Sequence, residues 1–437
     1  MGQGLSVVLQ AGYFMLLARL LGSFQYGIYA GAFALVSIVS QYATLGSGTI
    51  FIRYVSPDLR RFSAFWGNIL VVTGISGTVL VLGLSLCGKW LVGPVSASIV
   101  VIVAVGDCFF RRLTESAAQV FQAFEQLRYT AVLNTLTNLL RLTIVASLLV
   151  LFHHATAYQW AFAAMSVSCV ATIMAITVIS LRMGRPTFDV KLLARHAAEG
   201  FGFSIACSTG SLYNDLDKTM LGHYGMTIAN GIYTMAYRVV DICTMPIASV
   251  HGAMLPRFFK EGTAYGVAGT IRLARKVLNR TFLFGIVGAI GMFVAAPLIP
   301  HILGESFHST VGAVRWLCLL PMCRSLHLSA GDGLLGGGYQ KVRFSLQLSV
   351  AAMNFGLNLY LIPRYSWLGA AWSSVATDGT LGIISWMALL WLTKRSRSLA
   401  DEAEGLSTHA EMRCIHQTAG VGKAPEQESW PTADSVS

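Results

Sequence analysis

Long apolar runs, separated by short polar turns, follow one another along almost the whole chain. Twelve of these runs have about the twenty residues that an α-helix needs to cross a hydrocarbon core of roughly 30 Å. They are Gln3–Leu21, Gly27–Thr49, Trp66–Leu86, Val95–Gln119, Thr130–Phe152, Tyr158–Leu181, Gly200–Leu221, Ile228–Gly252, Val277–Leu298, Val311–Gly333, Arg343–Ile362 and Trp367–Thr393. The pattern therefore predicts an all-α polytopic membrane protein with about twelve transmembrane helices.

The composition favours the same class. Of the 437 residues, 54% are hydrophobic and 12% are charged, whereas soluble domains carry about 25% charged residues. A soluble protein of this length could not cover its surface with so little charge. The eight cysteines are not spaced like zinc ligands, and we expect them to act as small apolar residues.

The net charge of +11 is explained by topology rather than by nucleic-acid binding. Most Lys and Arg residues lie in alternate loops and at the adjoining helix ends. The other set of loops and helix ends carries only Arg19, Lys89, Arg315 and Arg364. Because basic residues accumulate on the cytoplasmic side, the asymmetry predicts that both termini are cytoplasmic.

The two halves of the chain share short motifs. Leu20-Leu21-Gly22 followed by Gly27-Ile28-Tyr29 matches Met220-Leu221-Gly222 followed by Gly231-Ile232-Tyr233, and residues 126–129 match residues 341–344. Six crossings in each half imply a pseudo-twofold axis along the membrane normal, with a site between the halves. Chance is the alternative, because the motifs are short. We therefore expect a six-helix lobe over 1–181, a cytoplasmic linker over 182–199, a second six-helix lobe over 200–393 and a disordered cytoplasmic tail over 394–437.

Ionisable residues inside the predicted spans are the informative ones, because a charge at the bilayer centre costs about 2.5–3.5 kcal/mol. Arg141 lies midway along its span, with Asn134 and Asn138 on the same helical face. Another stripe, of alternating charge, consists of Asp107, Arg111 and Glu115, with Arg112 beside it. A third is polar and consists of Ser204, Ser208, Ser211, Asp215 and Lys218.

Further polar residues lie in the last five spans. They are Arg238, Asp241, Arg324, His327, Asn354, Asn358 and Asp378. Each of them alone is explained by a structural pair with a neighbouring helix. Together, and drawn from several helices, they favour a hydrated polar cavity.

The glycine-rich run Gly331–Gly338 lacks the strand–turn–helix context of a phosphate loop and indicates a flexible helix end.

Three motifs carry a family resemblance. They are residues 18–29, residues 216–238 and residues 336–341. On these motifs the chain resembles the Wzx-type flippases, which are polysaccharide transporters of the multidrug/oligosaccharidyl-lipid/polysaccharide exporter superfamily. The resemblance implies a MATE-like fold and no enzymatic activity. It also implies a bacterial inner-membrane location, with an undecaprenyl-diphosphate-linked oligosaccharide moved by alternating access.

The resemblance also indicates roles for particular residues. A diphosphate requires cations, and Arg is suited to bidentate phosphate contacts, so the expected substrate-binding residues are Arg141, Arg238, Arg324 and Arg111. The expected ion-coupling residues are Asp217, Asp378, Asn354 and Asn358, which resemble the sodium position of related lipid II flippases. Na⁺ or H⁺ would be the coupling ion, and no other cofactor is expected. The expected partners are the lipid-linked oligosaccharide, membrane lipids and the polysaccharide polymerase machinery, without nucleic acid.

Two other functions fit parts of the pattern. A cation-coupled multidrug exporter of the same fold would be expected to have a cavity dominated by acids, which the central Arg residues disfavour. A membrane glycan polymerase or ligase would need an external catalytic surface, and the longest predicted external loop, about Ile299–Thr310, is too short to supply one.

Overall fold

The computed structural model describes the backbone of residues 2–419 and the side chains of residues 8–396 and 398. Within these residues the chain forms α-helices, short 3₁₀ and π segments and no strand. The α-helices are α1 (Gly2–Val39), α2 (Ser47–Val55), α3 (Phe62–Val105), α4 (Arg112–Ala123), α5 (Leu127–Phe152), α6 (Ala157–Arg182), α7 (Val190–His223), α8 (Thr227–Ala295), α9 (Ile299–Leu303), α10 (Thr310–Leu317), α11 (Leu320–Gly336), α12 (Gln340–Tyr365) and α13 (Trp367–Ala419).

Seven helical segments of the described chain are long and apolar enough to cross a membrane. They are Val8–Tyr42, Leu59–Ala123, Leu127–Phe152, Ala157–Arg182, Thr227–Leu303, Gln340–Tyr365 and Trp367–Ser396. The predicted class, an all-α polytopic membrane protein, is therefore confirmed. The count of twelve stays a prediction, as do the boundaries of the two lobes.

Glycines break the three longest of these segments. Gly22, Gly93 and Gly266 have φ of 64°, 72° and 57°, a region that residues with a Cβ rarely adopt. Pro94 follows the break in α3 and cannot donate to the preceding turn. Each long helix therefore changes direction at its glycine, so that α1, α3 and α8 each consist of two segments.

Several helix bounds differ from the predicted spans. The span predicted to end at Thr49 stops at Tyr42, and a left-handed turn at Gly46 leads into α2. Within the predicted linker, α7 begins at Val190, because the Asp189 carboxylate accepts hydrogen bonds from the first free backbone amides of the helix. At the other end of the chain, α13 continues to Ala419 through part of the predicted disordered tail. Residues 420–437 lie outside the described chain.

The largest apolar core lies where α1 packs against α8. It includes Leu17 and Leu20 of α1 and Tyr233 and Val240 of α8, all completely buried. The segment of α1 after Gly22 also packs on α7. Helices from the two halves of the chain therefore meet along α1, and this junction positions the site described next.

Candidate functional site

A cavity of about 240 Å³ lies between helices from both halves of the chain. Its wall combines residues of α1, α3, α5 and α6 with residues of the π segment Gly106–Arg111, α7 and α8. The charged residues in the wall are Asp107, Arg111, Arg141, Asp215, Lys218 and Arg238. Four cations against two carboxylates give the wall a formal charge of +2. Three of the four arginines expected to bind substrate thus share one cavity.

Arg141 enters the cavity from the middle of α5 and is half-buried. Among the side chains that the structure describes, no carboxylate lies within 4.0 Å of its guanidinium. The rings of Tyr13 and Tyr29 are close enough to interact with it electrostatically. Because no carboxylate of the described residues pairs with it, this guanidinium can receive an anionic ligand without first losing an ion pair to one of them.

Arg111 also lines the cavity but is already paired. Its Nε and Nη2 donate to both oxygens of Asp107, at 2.8 and 2.7 Å, and its Nη1 donates to Glu115 at 3.0 Å. The π segment Gly106–Arg111 places this pair at the cavity, in a wider helical turn of a kind often found at functional sites. Asp107 and Glu115 therefore fix the Arg111 guanidinium in place and largely compensate its charge before any ligand arrives.

Lys218 and Asp215 form an ion pair on the α7 side of the cavity. The Lys218 ammonium lies 2.7 Å from one Asp215 oxygen, and Ser37 donates to the other at 2.6 Å. Lys218 also lies over the Tyr237 ring, 4.8 Å from its centre. The sequence pattern showed Asp215 and Lys218 on one polar stripe but did not indicate them as site residues.

Arg238 approaches from α8. Its guanidinium lies over the Phe14 ring at 4.6 Å, and the closest carboxylate oxygen, on Asp241, is 3.5 Å from its Nη1. Its buried Nε has no hydrogen-bond partner in the described part of the chain. Arg238 is thus positioned by the Phe14 ring and by a hydrogen bond with Tyr26, and Asp241 neutralises it only weakly.

Arg324 lies elsewhere and is not part of the cavity wall. Its Nη1 donates to Asp241 and to Thr244, both at 3.2 Å, and its Nε lies 3.7 Å from Asp378. The Asp378 side chain is only 4% exposed. These contacts join α11 to α8 and α13, and a role of Arg324 in substrate binding stays a prediction.

The two acids expected to take part in ion coupling, Asp217 and Asp378, are buried on α7 and α13. Tyr233 donates to Asp217, and Ser374 lies 3.4 Å from the same carboxylate oxygen. Tyr213 donates to Asp378. Both acids are therefore held by phenol hydroxyls beside the same stretch of α13.

The two expected amides reach that stretch from α12. Asn354 donates to Thr377 at 3.2 Å and accepts from Asn358 at 2.8 Å. Ser373 in turn donates to Asn358. All four expected residues thus contact or flank residues 373–378 of α13. The described residues contain no group of three His, Cys, Asp or Glu that could hold a metal ion.

The sequence did not indicate the aromatic residues of the cavity as site residues. Tyr13, Tyr26 and Tyr29 line the wall, together with Gln10 and Phe14. Gln10, Tyr13 and Phe14 follow a spacing of three and four residues, so they share one helical face. This spacing is the sequence feature that could have indicated them as cavity residues. In an apolar chain, tyrosines at such a spacing are equally typical of packing, and only the tertiary structure shows that they face a cavity.

Comparison with known proteins decides the family. The family described as polysaccharide biosynthesis protein matches residues 1–261, which is more than half of the chain. The chain belongs to this polysaccharide biosynthesis family. The predicted family is thereby confirmed, although no curated protein matches the sequence.

Solved structures show which fold this member of the polysaccharide biosynthesis family has. A MATE-family multidrug resistance transporter of the MOP superfamily, in an inward-facing conformation, aligns with a TM-score of 0.71 at 13% identity, over 89% of this chain and 96% of that one. The lipid II flippase MurJ in an inward closed conformation aligns with a TM-score of 0.69 at 14% identity, over 90% and 86%.

A third solved structure is a MOP-superfamily transporter from Pyrococcus furiosus. It aligns with a TM-score of 0.62 at 14% identity, over 91% of this chain and 93% of that one. Its binding pocket is described as reversed in polarity, which was taken to suggest a different function for that protein. Family and fold together show a multi-pass membrane protein of the polysaccharide biosynthesis family that has the fold of these solved structures.

Proposed function

We propose that this protein is a flippase that moves an undecaprenyl-diphosphate-linked oligosaccharide across the bacterial inner membrane by alternating access. The observation that carries the proposal is the cavity between the two halves of the chain, with Arg141 in its wall and no carboxylate of the described residues paired with its guanidinium. A formal charge of +2 suits an anionic headgroup.

The chemistry of the substrate explains why such a cavity is needed. Sugar hydroxyls lose several kcal/mol of hydration per group if they enter hydrocarbon without new hydrogen bonds. A polar cavity supplies those bonds, while the lipid tail stays in the bilayer. The diphosphate would be held by Arg141 and Arg238, with Lys218 and Arg111 available if their carboxylate partners are displaced.

The network around residues 373–378 is the proposed ion-coupling site. Buried carboxylates surrounded by amide and hydroxyl oxygens are ligands suited to Na⁺ or to a proton. With an inside-negative potential, inward movement of one cation contributes about 2.3 kcal/mol for a potential of about 100 mV. Asp217, Asp378, Asn354 and Asn358 would link that energy to the reorientation of the helices.

The positive-inside pattern supports an orientation with both termini in the cytoplasm. In that orientation the substrate is loaded at the inner leaflet and released at the outer leaflet. A cation-coupled multidrug exporter is the second candidate, because a MATE-family multidrug transporter shares the fold. The excess of cations in the cavity wall argues against cationic drugs as substrates.

Deletion of the gene in its own host tests the proposal. A flippase deletion should abolish the surface polysaccharide and cause the lipid-linked oligosaccharide to accumulate on the cytoplasmic leaflet, where it is protected from external glycosidases. A strain that instead keeps its polysaccharide and becomes sensitive to cationic drugs would support the exporter.

A further inference from the structure

A buried histidine–aspartate pair lies outside both the cavity and the residue 373–378 network. His251 of α8 and Asp332 of α11 are joined by a 2.8 Å contact between Nδ1 and Oδ2, and their side chains are 5% and 8% exposed. The other Asp332 oxygen lies 3.5 Å from the Nη1 of Arg343 on α12. Three helices of the second half therefore meet at one carboxylate.

The imidazole has one open position for a proton. When the ring is neutral with its proton on Nδ1, it donates to Asp332, and Nε2 is left as a lone-pair acceptor. Nε2 is buried and has no hydrogen-bond partner among the described residues. A carboxylate that fixes the tautomer and orients the ring makes this nitrogen a well-defined base.

The apolar surroundings of this pair make a net charge on it unfavourable. Phe258, Ala330, Leu334 and Leu389, all completely buried, belong to the apolar cluster formed by α8, α11 and α13 in this part of the second half. Asp332 and Arg343 compensate each other, so the group is neutral overall while the His251 ring is neutral. One added proton leaves a net positive charge among apolar side chains, which is unfavourable unless the helices move and admit water. Protonation is therefore linked to helix position.

The pair lies near the helix ends that are predicted to be cytoplasmic. Asp332 precedes the end of α11 at Gly336 by four residues, and α12 begins at Gln340, shortly before Arg343. Toward the other end of α11, His327 interacts electrostatically with both His251 and Asp378. Titratable side chains thus extend from the network at residues 373–378 to this helix end, as in the proton relays of membrane transporters.

We propose that His251 and Asp332 form a proton-binding site in which Nε2 of His251 accepts a proton that reaches it from the network at residues 373–378 and releases it to the cytoplasmic side. The ligand is a single proton, and the ionisable groups that interact with the pair are Arg343, which lies beside Asp332, and His327. Its part in the transport cycle rests on the proposed flippase function, but proton binding itself does not.

Proton binding is tested directly on the full-length protein in lipid nanodiscs, with ¹⁵N-labelled histidine and NMR. The His251 signal is the one that disappears in His251→Gln. It should change from the neutral to the protonated pattern as the pH is lowered over the range in which the protein stays folded, and Asp332→Asn should move the pH of that change. A His251 signal that keeps one protonation state over this range, or that Asp332→Asn leaves unchanged, overturns the proposal.

The coupling is tested in proteoliposomes that contain the lipid-linked oligosaccharide, with and without a pH gradient and without sodium. We expect a several-fold stimulation of translocation by the gradient, lost in His251→Gln and retained in His154→Gln, an exposed histidine between α5 and α6. Equal stimulation of both variants refutes the coupling. Absence of translocation under every condition refutes the flippase proposal instead, and the NMR titration would still report on the proton site.

Discussion

Gly27 and Gly231 lie against each other where two helices cross. A Cβ on Gly27 would fall 1.8 Å from the carbonyl oxygen of Thr227, and a Cβ on Gly231 would fall 2.0 Å from that of Ser23. Ser23 precedes Gly27 by four residues, and Thr227 precedes Gly231 by four. Such a reciprocal contact is what a twofold axis between the glycines requires. The repeated Gly-Ile-Tyr motif therefore marks a helix crossing.

Gly27→Ala and Gly231→Ala should each destabilise the protein, because the added methyl group overlaps backbone of the other helix. Overpacking of this kind costs about 1–3 kcal/mol. Thermal unfolding of the purified protein in detergent measures the loss. Gly83→Ala on α3 is the matched control, since nothing lies within 4 Å of its added Cβ. Equal unfolding temperatures for all three variants would show that the crossing is not close-packed.

Arg141→Ala should abolish the surface polysaccharide without lowering the amount of protein in the membrane. A charge-assisted contact to the diphosphate is worth about 1.5–3 kcal/mol, so affinity for the substrate should fall roughly 10- to 100-fold. Arg128→Ala, at the exposed start of the same helix, serves as the control. Immunoblotting of membranes and glycan staining provide the two readouts. Wild-type polysaccharide in Arg141→Ala would remove this residue from the site.

Arg324→Ala should behave differently, since its loss leaves Asp378 buried without its cation. Breaking a buried ion pair from one side costs about 3–5 kcal/mol. We expect a lower unfolding temperature and less protein in the membrane, with part of the loss recovered when Asp378→Asn is added. If Arg324→Ala is as stable as the wild type but inactive, Arg324 acts on the substrate.

The contrast between these arginines shows how far the sequence could lead. Intramembrane charge and the family resemblance together pointed to Arg141, Arg238 and Arg111, and all three line one cavity. The same reasoning could not separate Arg324 from them, because its partner Asp241 is 83 residues away along the chain and is brought close only by tertiary packing. Polar residues in apolar spans are conspicuous, but their partners are set by helix packing.

The positions of the helix breaks could likewise be predicted only in part from the sequence. Gly22 lies at the short turn predicted between the first two spans, and the structure keeps helix on both sides of it, with only the glycine outside helical geometry. The π segment that positions Asp107 and Arg111 has no sequence signature in this chain. The length of an apolar run predicts which segments cross the membrane. Whether two such segments form one continuous helix depends on the conformation of a single residue between them, such as Gly22.

Asp217→Asn should abolish stabilisation by sodium, if Na⁺ occupies the network around residues 373–378. A cation at about 100 times its Kd stabilises the folded protein by about 2.7 kcal/mol. Thermal unfolding in NaCl and in choline chloride measures the difference for the wild type, for Asp217→Asn and for the exposed control Glu305→Gln. Stabilisation by sodium that persists in Asp217→Asn would place the ion elsewhere, and its absence in the wild type would favour a proton.

Translocation by the purified protein tests the central claim most directly. Liposomes carry a fluorescent undecaprenyl-diphosphate oligosaccharide, and a membrane-impermeant quencher reports the fraction on each leaflet over time. The wild type and Arg128→Ala should move the lipid between leaflets at least tenfold faster than protein-free liposomes, and Arg141→Ala should move it at the protein-free rate. Equal rates for the wild type and for protein-free liposomes, or rapid movement by Arg141→Ala, would contradict this account of the cavity.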